Sequence, residues 1–139
     1  MDIFLAAKIG DLERVKFLIH KQKQDVNQQD SVGKTPLHEA AIEGHHEVVK
    51  WLVREGKAKV DEKDKEDWTP LHYAAIKGHH EVVKWLVLEG KSKVNEKDKG
   101  GRTPLHCAAI KGRHEVVKCL VLEGSKVNEK DEEGRLINV

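Results

Sequence analysis

The chain has 139 residues, with 25 Lys and Arg against 24 Asp and Glu, and a net charge of +1. That balance argues against the one-signed field of a nucleic-acid or membrane-surface binder. Charged residues make up 35% of the chain and aromatic ones only 4%, which permits a thin core of Leu, Val, Ile and Ala but not a thick aromatic one.

The N-terminal stretch MDIFLAAKIGDLERVKF is interrupted by Asp2, Lys8, Asp11, Glu13 and Arg14, unlike the layered charge and apolarity of a signal peptide. No window approaches the roughly 18 apolar residues that a bilayer span needs. Cys107 and Cys119 are the two cysteines and form no CxxC pair. A reducing, cytoplasm-like compartment is expected on that usage.

Further along, Thr35, Thr69 and Thr103 each open the word TPLH, a step of 34 residues both times. The same step aligns Leu5-Ala6-Ala7 with Glu39-Ala40-Ala41 and Gly10 with Gly44, so an N-terminal half-copy precedes the first full one. Val127-Asn128-Glu129-Lys130-Asp131 begins a further copy near the C-terminus. A fixed period of this size points to a stack of repeated units.

Each copy carries its own punctuation. Thr35 is suited to cap a helix that Pro36 begins, with Leu37, Ala40 and Ala41 facing inward and Gly44 ending it. HEVVKWLVREG predicts a second helix with Val48, Val49, Leu52 and Val53 on one stripe, closed by Gly56. Gly33 and Gly101, with Asp67 between them in the middle copy, mark a turn position of positive φ. Helices this short fall below the roughly 12–15 residues that are marginal alone in water. Their stability must come from burying each unit against the next.

TPLHEAA, TPLHYAA and TPLHCAA, followed by GHHEVVKWL or GRHEVVKCL and then KVNEKD, resemble the ankyrin repeat. The resemblance covers Asp2 to Asp131. It implies a mostly α solenoid of stacked helix-turn-helix units with short β-hairpins, whose concave side binds other proteins. One array over 1–139 is expected: a half-unit at 1–30, repeats at 31–64, 65–98 and 99–131, and an incomplete turn at 132–139. Three departures stand out. The early linkers are one residue longer than the Ser125-Lys126 linker, Asp67 replaces the usual glycine, and Leu136-Ile137-Asn138-Val139 has no helix to lead into. That tail either folds back over the last unit or belongs to something longer. The resemblance also implies that Asn95, Asn128 and Asn27 stand where hairpin asparagines are hydroxylated in animal cells.

Nine histidines raise the question of a metal. The resemblance makes His38, His72 and His106 hydrogen-bonding struts between hairpin and helix. His45-His46 and His79-His80 read as solvated helix starts, because Arg113 breaks the row and a zinc site needs three or four converging ligands. HEAAI over residues 38–42 misses HExxH, since Ile42 stands where the second histidine must be. No nucleophile elbow or phosphate loop is present, so neither catalysis nor a cofactor is expected. The acids Glu62, Asp64, Glu96 and Asp98 among the linker lysines dilute any phosphate-tracking stripe and read as a solvated surface.

Positions that differ between copies are the candidates for recognition. They include Lys34, Glu39, Lys65, Trp68, Tyr73, Lys99, Arg102 and Cys107, which the resemblance places along hairpin tips and the near end of the first helix. Ile42, Ile76 and Ile110 would line the same groove as an apolar stripe, with Lys77 and Lys111 beside them. Trp68 and Tyr73, in the central copy, suit an anchor for a partner carrying an apolar and some acidic side chains. The alternative is that Trp68 only covers its neighbour's hairpin and Tyr73 fills a gap. The expected function is therefore a non-catalytic protein–protein interaction module. It is expected to be a monomer, with end-to-end association through the uncapped last repeat as the other option. An engineered or recently duplicated array without a specific partner, or the targeting segment of a larger enzyme or effector, are the competing readings.

Overall fold

The structure is a computed structural model that describes residues 2–124 and residue 132. Eight helices follow in order: α1 (Ile3–Ile9), α2 (Leu12–His20), α3 (Pro36–Glu43), α4 (His46–Arg54), α5 (Pro70–Lys77), α6 (His80–Leu88), α7 (Pro104–Ile110) and α8 (His114–Leu122). They form two layers. The odd helices pack side by side as one row, the even helices as a second row behind it, and each pair is joined by a tight turn. No strand occurs among the described residues. The expected hairpins are turns closed by single backbone bonds, such as Asp64 N–H to Trp68 O at 3.0 Å and Asp98 N–H to Arg102 O at 2.8 Å.

Local chemistry explains each first helix. Thr69 Oγ1 accepts from His72 N–H, and His72 Nδ1 accepts in return from Thr69 N–H at 3.2 Å. This reciprocal capping box, with Pro at the first helical position, recurs at Thr35 and Thr103 and satisfies two otherwise orphaned amides. At the far end Gly44 and Gly78 sit at φ +74° and +75°, a left-handed cap that an L side chain resists.

The second helices close at the expected glycine, but by a different geometry from the first helices. Glu55 is the cap of α4, and the left-handed residue is Lys57, at φ 60°, not Gly56. A Cβ on Gly56 would come within 2.8 Å of Leu52 O, so its lack of a side chain answers a need for space. Lys23, Lys57 and Lys91, one step apart, share this left-handed geometry. Asp67 takes φ 62° beside Gly33 at +85° and Gly101 at +78°. Its amide still reaches Asp64 O at 3.0 Å, so the turn keeps its form without glycine, Asp being among the residues that tolerate this region.

One core runs the length of the stack. Ala40, Ala41, Ala74, Ala75 and Ala108 are fully buried in the first row, while Val48, Val49, Leu52, Val82, Val83, Leu86, Val116 and Leu120 fill the second. Small residues let the first row pack closer than the bulkier second row. Val53 is only half-buried. Among the described residues no helix is long and apolar enough to cross a membrane, and no cluster of His, Cys, Asp or Glu could hold a metal.

Candidate protein-binding face

The hairpins and first helices present one continuous face. Lys65 N–H donates to Val32 O at 3.0 Å, Lys99 N–H to Glu66 O at 3.1 Å, and Glu132 N–H to Gly100 O at 2.9 Å, so the tips stand in one row. His38 Nε2 bonds Trp68 O at 2.8 Å and His72 Nε2 bonds Arg102 O at 2.9 Å. The expected struts therefore reach forward, tying each first helix to the next hairpin.

Those histidines have a fixed tautomer. Nδ1 accepts from the threonine amide, so Nε2 carries the proton and donates to the carbonyl. Burial pushes both His38 and His72 below the ordinary imidazole range, against the opposing pull of the Trp68 or Arg102 carbonyl and of Asp64 and Asp98. An unfolded imidazole titrates near pH 6.5, so the folded chain binds fewer protons just below that pH. Stability is thus complete above about pH 6.5 and falls as pH drops toward the lowered folded values. Two such groups give a slope of up to about 2.7 kcal/mol per pH unit. Urea titrations between pH 7.5 and 5 should show this decline, and a flatter profile for His72→Gln would assign it.

The helix-start histidines are not the solvated pair the sequence suggested. His79 lies over Gly44 and its Nε2 bonds Ile42 O at 2.8 Å, and His45 does the same over Gly10 to Lys8 O at 2.7 Å. Arg113 repeats the contact over Gly78, its Nε donating to Ile76 O at 2.9 Å. The arginine that seemed to break the row keeps the same bond with a longer side chain.

Asp64 and Asp98 likewise overturn the solvated reading. They are 6% and 5% exposed. Asp64 Oδ1 accepts from the amides of Glu66 and Trp68, both at 2.9 Å, and Asp98 Oδ1 from those of Gly100 and Arg102. These carboxylates build the turns. The recurrence of Asp30, Asp64 and Asp98 one step apart was the signal that could have found them.

Tyr73 and Arg102 complete that arrangement. Tyr73 donates its hydroxyl to Asp64 Oδ2, and Arg102 Nε donates to Asp98 Oδ2 at 3.2 Å. Burial, then the Asp64 carboxylate, pushes the phenol above its usual range. Lys34 Nζ stands 5.4 Å over the Tyr73 ring. Trp68 packs on Tyr73 with ring centroids 4.8 Å apart and on His72 at 5.4 Å. It stays half-exposed, and its indole N–H donates to no group among the described residues.

The remaining candidates divide by burial. Ile42 and Ile76 are half-buried, whereas Ile110 is 56% exposed, so the apolar stripe is uneven. Cys107, expected on the groove, is buried among the first helices, and its thiol is pushed up to about 12 by that burial. Lys65, Lys77, Lys99 and Lys111 are exposed. Asn27 Oδ1 accepts from Lys59 N–H and Asn95 Nδ2 donates to Gly124 O. Asn128, Ser125-Lys126, the partial copy from Val127 to Asp131 and the tail Leu136 to Val139 lie outside the described residues.

A family model described as ankyrin repeats (3 copies) matches residues 3–98 and 60–131. The chain belongs to the ankyrin repeat family. A human relative, Ankyrin repeat domain-containing protein 7, is 48% identical over 40 residues, a match covering 29% of this chain and 16% of that protein's length. Ankyrin repeats generally serve as protein–protein interaction modules and are typically non-catalytic. In this ankyrin array the recurring side chains maintain the stack. The two that tie down Asp64 and Asp98, Tyr73 and Arg102, come from positions that vary between copies.

Proposed function

We propose that this ankyrin array binds a protein partner on the face formed by its hairpins and first helices, without catalysis, and that Trp68 is the anchor. The observation that carries this is the state of Trp68. Its half-buried ring packs on both Tyr73 and His72, and its N–H is unused among the described residues. A side chain already fixed in place loses little freedom on binding, and interface hot spots favour tryptophan near the patch centre. Ile76 and Ile110 add apolar surface at the far ends of α5 and α7, Ile42 and Lys34 belong to the preceding unit, and Lys65, Lys77, Lys99, Lys111 and Arg102 form the polar rim. Tyr73 acts by supporting the indole, because its own hydroxyl is committed to Asp64. A cytoplasmic setting and a monomeric array suit the two unpaired cysteines.

Peptide binders selected from a displayed library give the test. Trp68→Ala and Ile110→Asp should each weaken them at least tenfold, about 1.4 kcal/mol, with unchanged helix content. Binders that ignore both changes and respond instead to Lys84→Glu, on α6, would move the docking face to the second helices.

A further inference from the structure

Lysines on the two rows of helices differ in their surroundings. On the second helices, Lys16, Lys50 and Lys118 each lie near a glutamate one turn earlier, Glu13, Glu47 and Glu115, at 3.6, 3.9 and 3.7 Å. Three of the four lysines of that row are thus paired along their own helix, Lys84 on α6 being the exception. Lys65, Lys77, Lys99 and Lys111, all exposed on the hairpin tips and first-helix ends of the second and third units, make no ion pair among the described residues.

The reason lies in what stands near them. One turn before Lys77 and Lys111 come Ala74 and Ala108, both fully buried, so no acid on the same turn can reach the ammonium groups. Next to Lys65 and Lys99 in the chain stand Asp64 and Asp98. Those carboxylates are turned inward and their oxygens are taken by turn amides, Tyr73 and Arg102. Glu66, exposed on the second tip, offsets one of the four lysines. The face of hairpins and first helices on this nearly neutral chain thus presents a group of four uncompensated lysines.

The patch is also bounded. Ser31 and Glu43 hold in the first unit the positions of Lys65 and Lys77, and Glu132 follows Lys99 in the row of tips. Neighbouring helices pack at about 8–10 Å, while a chain extended as a polyproline II helix advances about 3.1 Å per residue and returns to the same face every third residue. Lysines one unit apart therefore match carboxylates about three residues apart.

We infer that the partner segment is an extended acidic peptide lying across the second and third units. Its carboxylates fall three residues apart beside Lys77 and Lys111, and an apolar side chain between them meets Ile76, in the last turn of α5. This rests on the docking face proposed above. A long acidic run is disfavoured, because Glu43 and Glu132 repel it at either border.

The probe is a capped synthetic peptide, Thr-Glu-Pro-Val-Glu-Pro-Thr, with two glutamates three residues apart and prolines that favour the polyproline II conformation, titrated at low salt by calorimetry. It should bind, and more weakly as salt is added. Lys77→Glu combined with Lys111→Glu should reduce affinity at least tenfold, while Lys84→Glu with Lys118→Glu on the second helices leaves it unchanged. The same peptide with lysine for glutamate should not bind. Equal binding of both peptides, or indifference to the Lys77 and Lys111 pair, overturns the inference. If library-selected binders map to Trp68 but the acidic peptide fails, the acidic segment is wrong and the docking face survives.

Discussion

Replacing His72 with alanine is expected to lower the free energy of unfolding by about 3 kcal/mol, the upper range for a lost buried polar network. The imidazole is fully buried and holds three partners: the Thr69 amide, the Thr69 hydroxyl and the Arg102 carbonyl. Removing it leaves an orphaned donor at the start of α5, an unpaired carbonyl in the next hairpin, and a void between two units. His38→Ala should cost a similar amount, since its bonds are the same in kind. His79→Ala should cost less, about 1 kcal/mol, because its single bond to Ile42 O is only half-buried and water can replace the imidazole. Urea denaturation followed by circular dichroism measures all three. A loss below about 1 kcal/mol for His72→Ala would mean that the strut contributes little to joining the units.

The second large effect is expected from adding volume where the first helices meet. Ala75 is fully buried on α5, which is flanked by α3 on one side and α7 on the other. Ala75→Leu inserts three carbon atoms into a row whose spacing alanine sets, and overpacking typically costs about 1–3 kcal/mol. The upper end is expected here, because the His38 and His72 struts tie α3 and α5 to the hairpins that lead into α5 and α7. Stability in a stack is a sum over units and their joints, so the change should also split unfolding into two steps, with the C-terminal units lost first. A single transition with stability near that of the parent would show that the row can spread without cost.

The periodic part of this molecule was legible as text. The 34-residue step, Thr before Pro, and paired alanines gave the repeat, the first-helix caps and the core face before any coordinates, because each depends on contacts within a few residues. Positive φ at Asp67 was readable for the same reason, glycine standing at that position in two other copies. Gly56 was legible as the close of the second helix, but not why: its missing Cβ answers a need for space, and Lys57 takes the left-handed geometry.

What the sequence determined by itself was the kind of architecture: short amphipathic helices, repeated and unable to stand alone, must stack. What only the tertiary structure decided was which polar groups face inward between units. His45, His79 and Arg113 differ in chemistry but meet the same carbonyl row, and charged Asp64 and Asp98 vanish beneath the hairpins. Charge counted along a chain ignores direction. Folding turns those carboxylates to the inside and leaves their neighbouring lysines outside, so a nearly neutral sequence presents a group of uncompensated lysines on the face of hairpins and first helices.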